Sequence, residues 1–167
     1  MLSVMLSVVK DFSDYQFVIA GAPSQELSFY QQFISGENIK FVSNKTYALL
    51  RNSTAALVTS GTATLETALF KVPEVVCYKG SWASYQIAKR IITLKYISLV
   101  NLIMDKEVVT ELIQDECSTK RIREELAKIL DPNYRKTLLE NYDLLEEKLG
   151  GIGASKKTAH LIVETIK

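Results

Sequence analysis

Residues 55–66 read Ala55-Ala56-Leu57-Val58-Thr59-Ser60-Gly61-Thr62-Ala63-Thr64-Leu65-Glu66. An apolar run stops at Ser-Gly-Thr and a helical pattern begins, which predicts a buried strand, a tight turn and a helix N-terminus. Ser60 suits the N-cap, because its hydroxyl can take one of the four backbone N–H groups that a helix start leaves unpaired. Gly61 lets backbone come close to a ligand. Those N–H groups and the positive end of the helix dipole make such a turn an anion site, most naturally for phosphate. With the helix starting at Gly61, Thr62 and Glu66 share a face and lean back toward the helix mouth. A carboxylate there can accept hydrogen bonds from paired sugar hydroxyls. The plainer alternative is a well-capped βα turn, with Glu66 a solvated helix residue.

On either side of this turn the chain alternates strand and helix with short connectors. Met1 to Val9 reads as an amphipathic helix, Gln16 to Ala20 as a strand ended by Gly21-Ala22-Pro23, and Ser24 to Ile34 as a helix. Ile39 to Val42 is a strand, Lys45 to Asn52 a helix, and the helix after Gly61 runs to about Lys71, where Val72-Pro73 breaks it. Glu74 to Tyr78 is an apolar strand, Ser81 to Thr93 a helix and Tyr96 to Leu99 a brief strand. The strands are continuous apolar runs, as in a parallel sheet covered on both faces. The predicted fold is therefore α/β, a Rossmann-like open parallel sheet with helices on both faces over residues 1–117. In such sheets ligands bind outside the carboxyl ends of the strands. Gly21-Ala22-Pro23, Ser60-Gly61-Thr62 and Tyr78-Lys79-Gly80-Ser81 meet those ends, and Asn101 to Met104 forms a fourth loop.

From Ser118 onward the pattern is helical only: Thr119 to Leu130, Tyr134 to Leu149 and Ser155 to Ile166. Asp131-Pro132 opens the second of these, since Pro is tolerated in a first turn. Residues 118–167 are thus C-terminal helices that pack on the sheet, on another domain or on a second subunit. A homodimer is among these alternatives.

The chain has 167 residues, 47% hydrophobic and 23% charged, enough for one domain with a sizeable core and a helical tail. Twenty basic residues against nineteen acidic ones, with no basic block, argue against a nucleic-acid partner. Cys77 and Cys117 have no CxxC spacing, and one histidine, His160, with two cysteines cannot build a typical catalytic zinc site; no metal is expected. His160 reads as a surface or packing histidine. Met1 to Val9 lacks the charged start and cleavage site of a signal peptide, and no apolar run reaches the length of a membrane span. A soluble protein in a reducing compartment fits, and a peripheral contact with lipid is compatible with it. There is no GxGxxG, no GxxxxGK[ST] and no GxSxG, which sets aside standard dinucleotide, P-loop and serine-hydrolase chemistry. Phosphate binding through backbone N–H groups survives all three exclusions.

Five runs resemble, in order and spacing, the C-terminal half of the bacterial lipid-A-disaccharide synthase family. They are residues 59–68 (Thr59 to Ala68), 72–79 (Val72 to Lys79), Ala88-Lys89-Arg90, 96–103 (Tyr96 to Ile103) and 107–116 (Glu107 to Glu116). The resemblance implies a GT-B glycosyltransferase, with two Rossmann-like domains of which the C-terminal one holds UDP. It further implies metal-independent, inverting transfer of 2,3-diacylglucosamine from UDP-2,3-diacylglucosamine to 2,3-diacylglucosamine 1-phosphate in lipid A biosynthesis, with no cofactor. Helix N-termini would stabilise the departing diphosphate in place of a cation. The location implied is cytoplasmic, peripheral at the inner face of the inner membrane.

Carried onto this chain, the resemblance places Ser60, Gly61 and Thr62 at the diphosphate and Glu66 at the ribose. Asn101 and Gln114 match positions near the nucleotide sugar, and Tyr78 and Lys79 lie on a loop facing the cleft. Lys79 stands where the family commonly has Arg, keeping the charge but losing the bidentate fork. Glu107, Glu111 and Glu116, around a short helix, read as a solvated face or as donor contacts. Leu99, Leu102 and Ile103 read as core. By the same resemblance the chain begins after the family's first C-terminal strand, so the catalytic residues are expected in the N-terminal domain and this fragment alone is expected to be inactive. Two other functions stay open: a free-standing nucleotide or phosphometabolite module on a Rossmann-like sheet, and a helical dimerisation module.

Overall fold

Among the described residues, every strand pairing in the computed structural model is parallel. The structure describes residues 1–34, 38–81, 95–150 and 153–166. One ladder pairs β1 (Phe17–Gly21) with β2 (Ile39–Ser43), and a second runs in the order β3 (Ala56–Thr59), β4 (Glu74–Tyr78), β5 (Glu111–Ile113). Register places Thr59 opposite Cys77 and Tyr78 opposite Ile113, so the carboxyl ends of β3, β4 and β5 share one edge. In β4 the first four residues are buried, as a parallel strand covered on both faces requires. The α/β, Rossmann-like reading of the sequence holds.

The helices before the sheet's centre are short: α1 (Leu2–Leu6), α2 (Leu27–Gln31), α3 (Thr46–Arg51) and α4 (Thr62–Leu69). The expected helix over Met1 to Val9 stops at Leu6 and gives way to a 3-10 turn at Val9–Asp11, while that over Ser24 to Ile34 shrinks to Leu27–Gln31. The expected helix over Ser81 to Thr93 lies outside the described residues.

Two elements differ in kind. Residues expected as a strand (Tyr96 to Leu99) and a loop (Asn101 to Met104) instead lead into helix α5 (Leu99–Met104), capped by the Ser98 hydroxyl, which accepts the Asn101 N–H at 3.2 Å. The short helix expected around Glu107 to Glu116 is instead the approach to β5, followed by a 3-10 turn at Gln114–Glu116. Short apolar runs carry too few residues for their period to separate helix from strand.

The terminal helices form as their caps dictate. In α6 (Thr119–Leu130) Ser118 caps the start, and Ile122, Glu125, Leu126 and Ile129 face inward at helical spacing. In α7 (Pro132–Lys148) the Asp131 carboxylate accepts the N–H groups of Asn133 and Tyr134, both at 3.0 Å, with Pro132 in the first turn. Their apolar faces join Val75, Val76, Cys77 and Leu112 in the main core. Removing that cap by Asp131→Ala is expected to cost about 0.5–2 kcal/mol, read as a lowered melting temperature. An unchanged melt would mean that Pro132 and the packing of α7 suffice without it. A smaller core holds Val9, Ile19, Tyr30 and Ile39, with Phe17 packed against both. Helix α8 (Ala154–Ile166) leaves Leu161, Ile162, Val163 and Ile166 exposed.

Candidate functional site

The turn after β3 is built differently from the local reading, and more openly. Helix α4 starts at Thr62 with Gly61, not Ser60, in the N-cap place, and no side chain caps it. The Ser60 hydroxyl donates instead to the carbonyl of Ile97 at 3.0 Å. Ser60 as side-chain N-cap is therefore corrected: a long-range acceptor takes its proton. Gly61 has φ 144° and ψ −165°, a conformation essentially confined to glycine, and open space surrounds the place where a Cβ would sit. The glycine is required by backbone shape, not by crowding. The N–H and hydroxyl of Thr64 both reach the Gly61 carbonyl, at 3.2 and 2.8 Å. Gly61 and Thr62 are exposed, and the uncapped helix start carries the partial positive charge that favours an anion.

One turn further on, partly exposed Glu66 faces a recess of about 460 Å³ lined by Asn44, Lys45, Thr46, Tyr47 and Ala48. These residues follow β2, so the recess spans the carboxyl end of β2 and the first turns of α3 and α4. The Tyr47 ring stacks on Phe70, with centroids 5.2 Å apart.

The register brings Tyr78 and Lys79, both exposed, beside the Ser60 turn, with Gln114 next along the same edge. Gln114 has φ 53° and its amide nitrogen is buried with no hydrogen-bond partner among the described residues. Asn44, at φ 54°, is equally left-handed. Left-handed non-glycine residues and unpaired buried polar groups are costly and cluster at functional sites. Asn44, Gly61 and Gln114 thus place backbone strain at the carboxyl ends of β2, β3 and β5. The Asn after a strand was a readable sign for Asn44, which tolerates this conformation; nothing local marked Gln114.

Asn101 is placed otherwise. It is fully buried, its Oδ1 accepting the N–H groups of Val108 and Val109 at 2.7 and 3.0 Å, and its Nδ2 donating to the Val109 carbonyl at 2.8 Å and to Glu111 at 2.9 Å. Every polar atom of its side chain is committed within the protein, which leaves no atom to touch a ligand directly. Glu111, read earlier as solvated face or donor contact, accepts from the N–H groups of Ile97 and Ser98, each at 2.9 Å. Neither arrangement was visible from spacing.

Cys77 adjoins Tyr78 but is no nucleophile: burial first, then the neighbouring Cys117, pushes its thiol well above the usual range, so thiolate is suppressed. His160 is exposed and lies 3.3 Å from Glu164 in α8. Among the described residues no helix is long and apolar enough to cross a membrane.

Two parallel ladders, with left-handed or glycine-only backbone just after β2, β3 and β5, make an α/β, Rossmann-like chain in which the Gly61 turn is the candidate anion site. The family profile described as lipid-A-disaccharide synthetase matches residues 2–163, and the chain belongs to that family. It is 38% identical over 100 residues to a lipid-A-disaccharide synthase of Geobacter sulfurreducens, covering 59% of this chain and 26% of that protein. The synthase of Syntrophus aciditrophicus is 39% identical over 102 residues (60% and 27%), and that of Hahella chejuensis 39% over 99 (59% and 25%). The matched part is about a quarter of the length of these relatives.

Proposed function

We propose that this chain is the UDP-sugar-binding part of a lipid-A-disaccharide synthase, a glycosyltransferase of the GT-B type. The observation that carries the reading is the uncapped start of α4 behind Gly61, exposed beside Tyr78, Lys79 and Gln114, in a chain of this family. The diphosphate lies over Ser60, Gly61 and Thr62, where N–H groups and helix dipole meet its charge, with Lys79 as a nearby cation. Glu66 accepts the ribose hydroxyls at the mouth of the recess. Gln114, whose amide nitrogen lacks a partner, faces the sugar side, and Asn101 serves the site by holding its framework.

In the whole protein, the donor is UDP-2,3-diacylglucosamine and the acceptor 2,3-diacylglucosamine 1-phosphate. Transfer inverts the anomeric centre, and preorganised donors stabilise the leaving diphosphate as a metal would elsewhere. Glu66 is assigned to ribose and Glu111 is spent on N–H groups, so neither is assigned as the general base. The acylated substrates partition into lipid, which supports a peripheral position for the protein, assigned here to the cytoplasmic face of the inner membrane.

Titration of the isotopically labelled chain with UDP is expected to shift the amides of Ser60, Gly61, Thr62 and Glu66 first, with UDP preferred over AMP and NAD. Shifts confined to α6, α7 and α8, or equal binding of all three nucleotides, would sink the reading.

A further inference from the structure

We propose that Glu111 is a positioning residue that sets the orientation of the diphosphate turn through Ile97. The inference rests on the placement of UDP at that turn. Both carboxylate oxygens of Glu111 are engaged. Oε2 accepts the Ile97 N–H, and Oε1 accepts the Ser98 N–H and the Asn101 side-chain amide, all at 2.9 Å. Ser98 is also held from α5, its hydroxyl accepting the Asn101 N–H at 3.2 Å and its carbonyl the Leu102 N–H at 3.1 Å, so residues 97 and 98 are gripped from β5 on one side and from α5 on the other.

The other face of that peptide reaches the candidate site. The Ile97 carbonyl accepts the Ser60 hydroxyl at 3.0 Å, from a residue 37 positions away. The other side-chain bond at the turn among the described residues is local, the Thr64 hydroxyl donating to the Gly61 carbonyl at 2.8 Å from within α4, and no side chain caps the α4 start. Among the described residues, the Ser60 to Ile97 bond is therefore the side-chain tether that joins the turn to a distant part of the chain, and Glu111 decides where Ile97 stands. A path of hydrogen bonds runs from Glu111 in β5 through the 97–98 peptide to the Ser60 side chain, next to the N–H groups that would meet the diphosphate. A glutamate spent this way needs no contact with ligand to alter its affinity. The charged acceptor matters, because an amide in its place would turn an N–H donor toward donors on the backbone.

The test compares UDP with uridine, which lacks the diphosphate, on the 167-residue chain. Glu111→Gln is expected to weaken UDP about tenfold, the size of one lost hydrogen bond of ordinary net strength, and to leave uridine within about twofold. It should also shift the Gly61 and Thr62 amides in the absence of ligand. Ser60→Ala is expected to weaken UDP similarly, and the double variant to bind no worse than either single one, because both act through one tether. Glu111→Asp, which keeps the charge but draws the acceptor back by a methylene, is the second variant should the glutamine form not fold, and is expected to lose UDP affinity with the same selectivity. Additive losses, or equal weakening of UDP and uridine, would overturn the positioning role and leave Glu111 as a structural cap of α5. If UDP binds and Ser60→Ala weakens it while neither Glu111 variant does, the positioning role alone fails. If the unsubstituted chain does not bind UDP, or binds it only at the terminal helices, the placement of UDP fails and this inference with it.

Discussion

Replacing Glu74 by methionine is expected to stabilise the protein by about 1–3 kcal/mol, the scale on which a buried polar group without a partner costs stability. Glu74 opens β4 opposite Ala56, is fully buried, and neither carboxylate oxygen has a hydrogen-bond partner among the described residues. Burial raises its pKa well above the ordinary carboxyl value, so the native state holds a proton that the unfolded chain releases. The sign follows from linkage. Where the native state binds more protons, stability falls as pH rises, so the contribution is fully present below the ordinary carboxyl pKa and is lost as pH climbs toward the folded value. Methionine has similar length, fills the site with apolar volume and does not titrate. Thermal melts at a series of pH values should show the unsubstituted chain losing stability from acid toward neutral pH, with a flatter profile and a higher melting temperature for Glu74→Met. Parallel profiles, or a destabilised variant, would mean that Glu74 has a partner and is ionised. The hydroxyl of Tyr142, buried near Glu74, has its pKa raised by burial first and by Glu74 second, which marks this end of the sheet as a dry interior.

Glu74 and Tyr78 are the two ends of one strand, and they divide what the sequence could reveal. The strand itself was legible at its observed bounds, because Val75-Val76-Cys77 is a continuous apolar run after a Pro. Helix α6 was legible from apolar residues at helical spacing, and α7 because Asp131-Pro132 is a local start signal. What escaped depended on partners far along the chain. Ser60 has every local mark of an N-cap, yet its proton goes to Ile97. Leu99 to Met104 becomes helical where Ser98 caps it and Glu111 holds the preceding peptide, and Glu111 can do so only because β5 pairs with β4. The resemblance marks Asn101 as a position near the nucleotide sugar but says nothing of its orientation, since its hydrogen bonds to residues 108, 109 and 111 are set by tertiary structure. Gln114 was singled out by family resemblance alone; its strain and its unpaired amide nitrogen are properties of the folded backbone.

Removal of the Glu66 carboxylate is expected to weaken UDP binding by about 1.5–3 kcal/mol, roughly 10-fold to 150-fold, while leaving pyrophosphate binding and fold stability almost unchanged. The figure is that of a hydrogen bond to a charged acceptor, here the bond from the ribose hydroxyls that the proposed function assigns to this residue. Three observations make the effect selective. Glu66 sits one turn inside α4 from Thr62, so its side chain leans toward the same mouth as the open N–H groups without being part of the anion site. It lines the recess with Asn44, Lys45, Thr46, Tyr47 and Ala48, whose volume of about 460 Å³ is in the range of small-ligand sites. Its carboxylate makes no hydrogen bond or ion pair within the described residues, so alanine, the best helix former, removes nothing that holds α4 in place. Glu66→Gln should fall between the two, because it keeps one acceptor oxygen and loses the charge. Calorimetric titration of the unsubstituted chain and both variants with UDP, uridine and pyrophosphate separates the alternatives. Equal losses for UDP and pyrophosphate would move Glu66 to the phosphate side or to a structural role. No loss for UDP or uridine would place the ribose away from α4 and leave the Ser60 to Thr62 turn as the only part of the site that α4 provides.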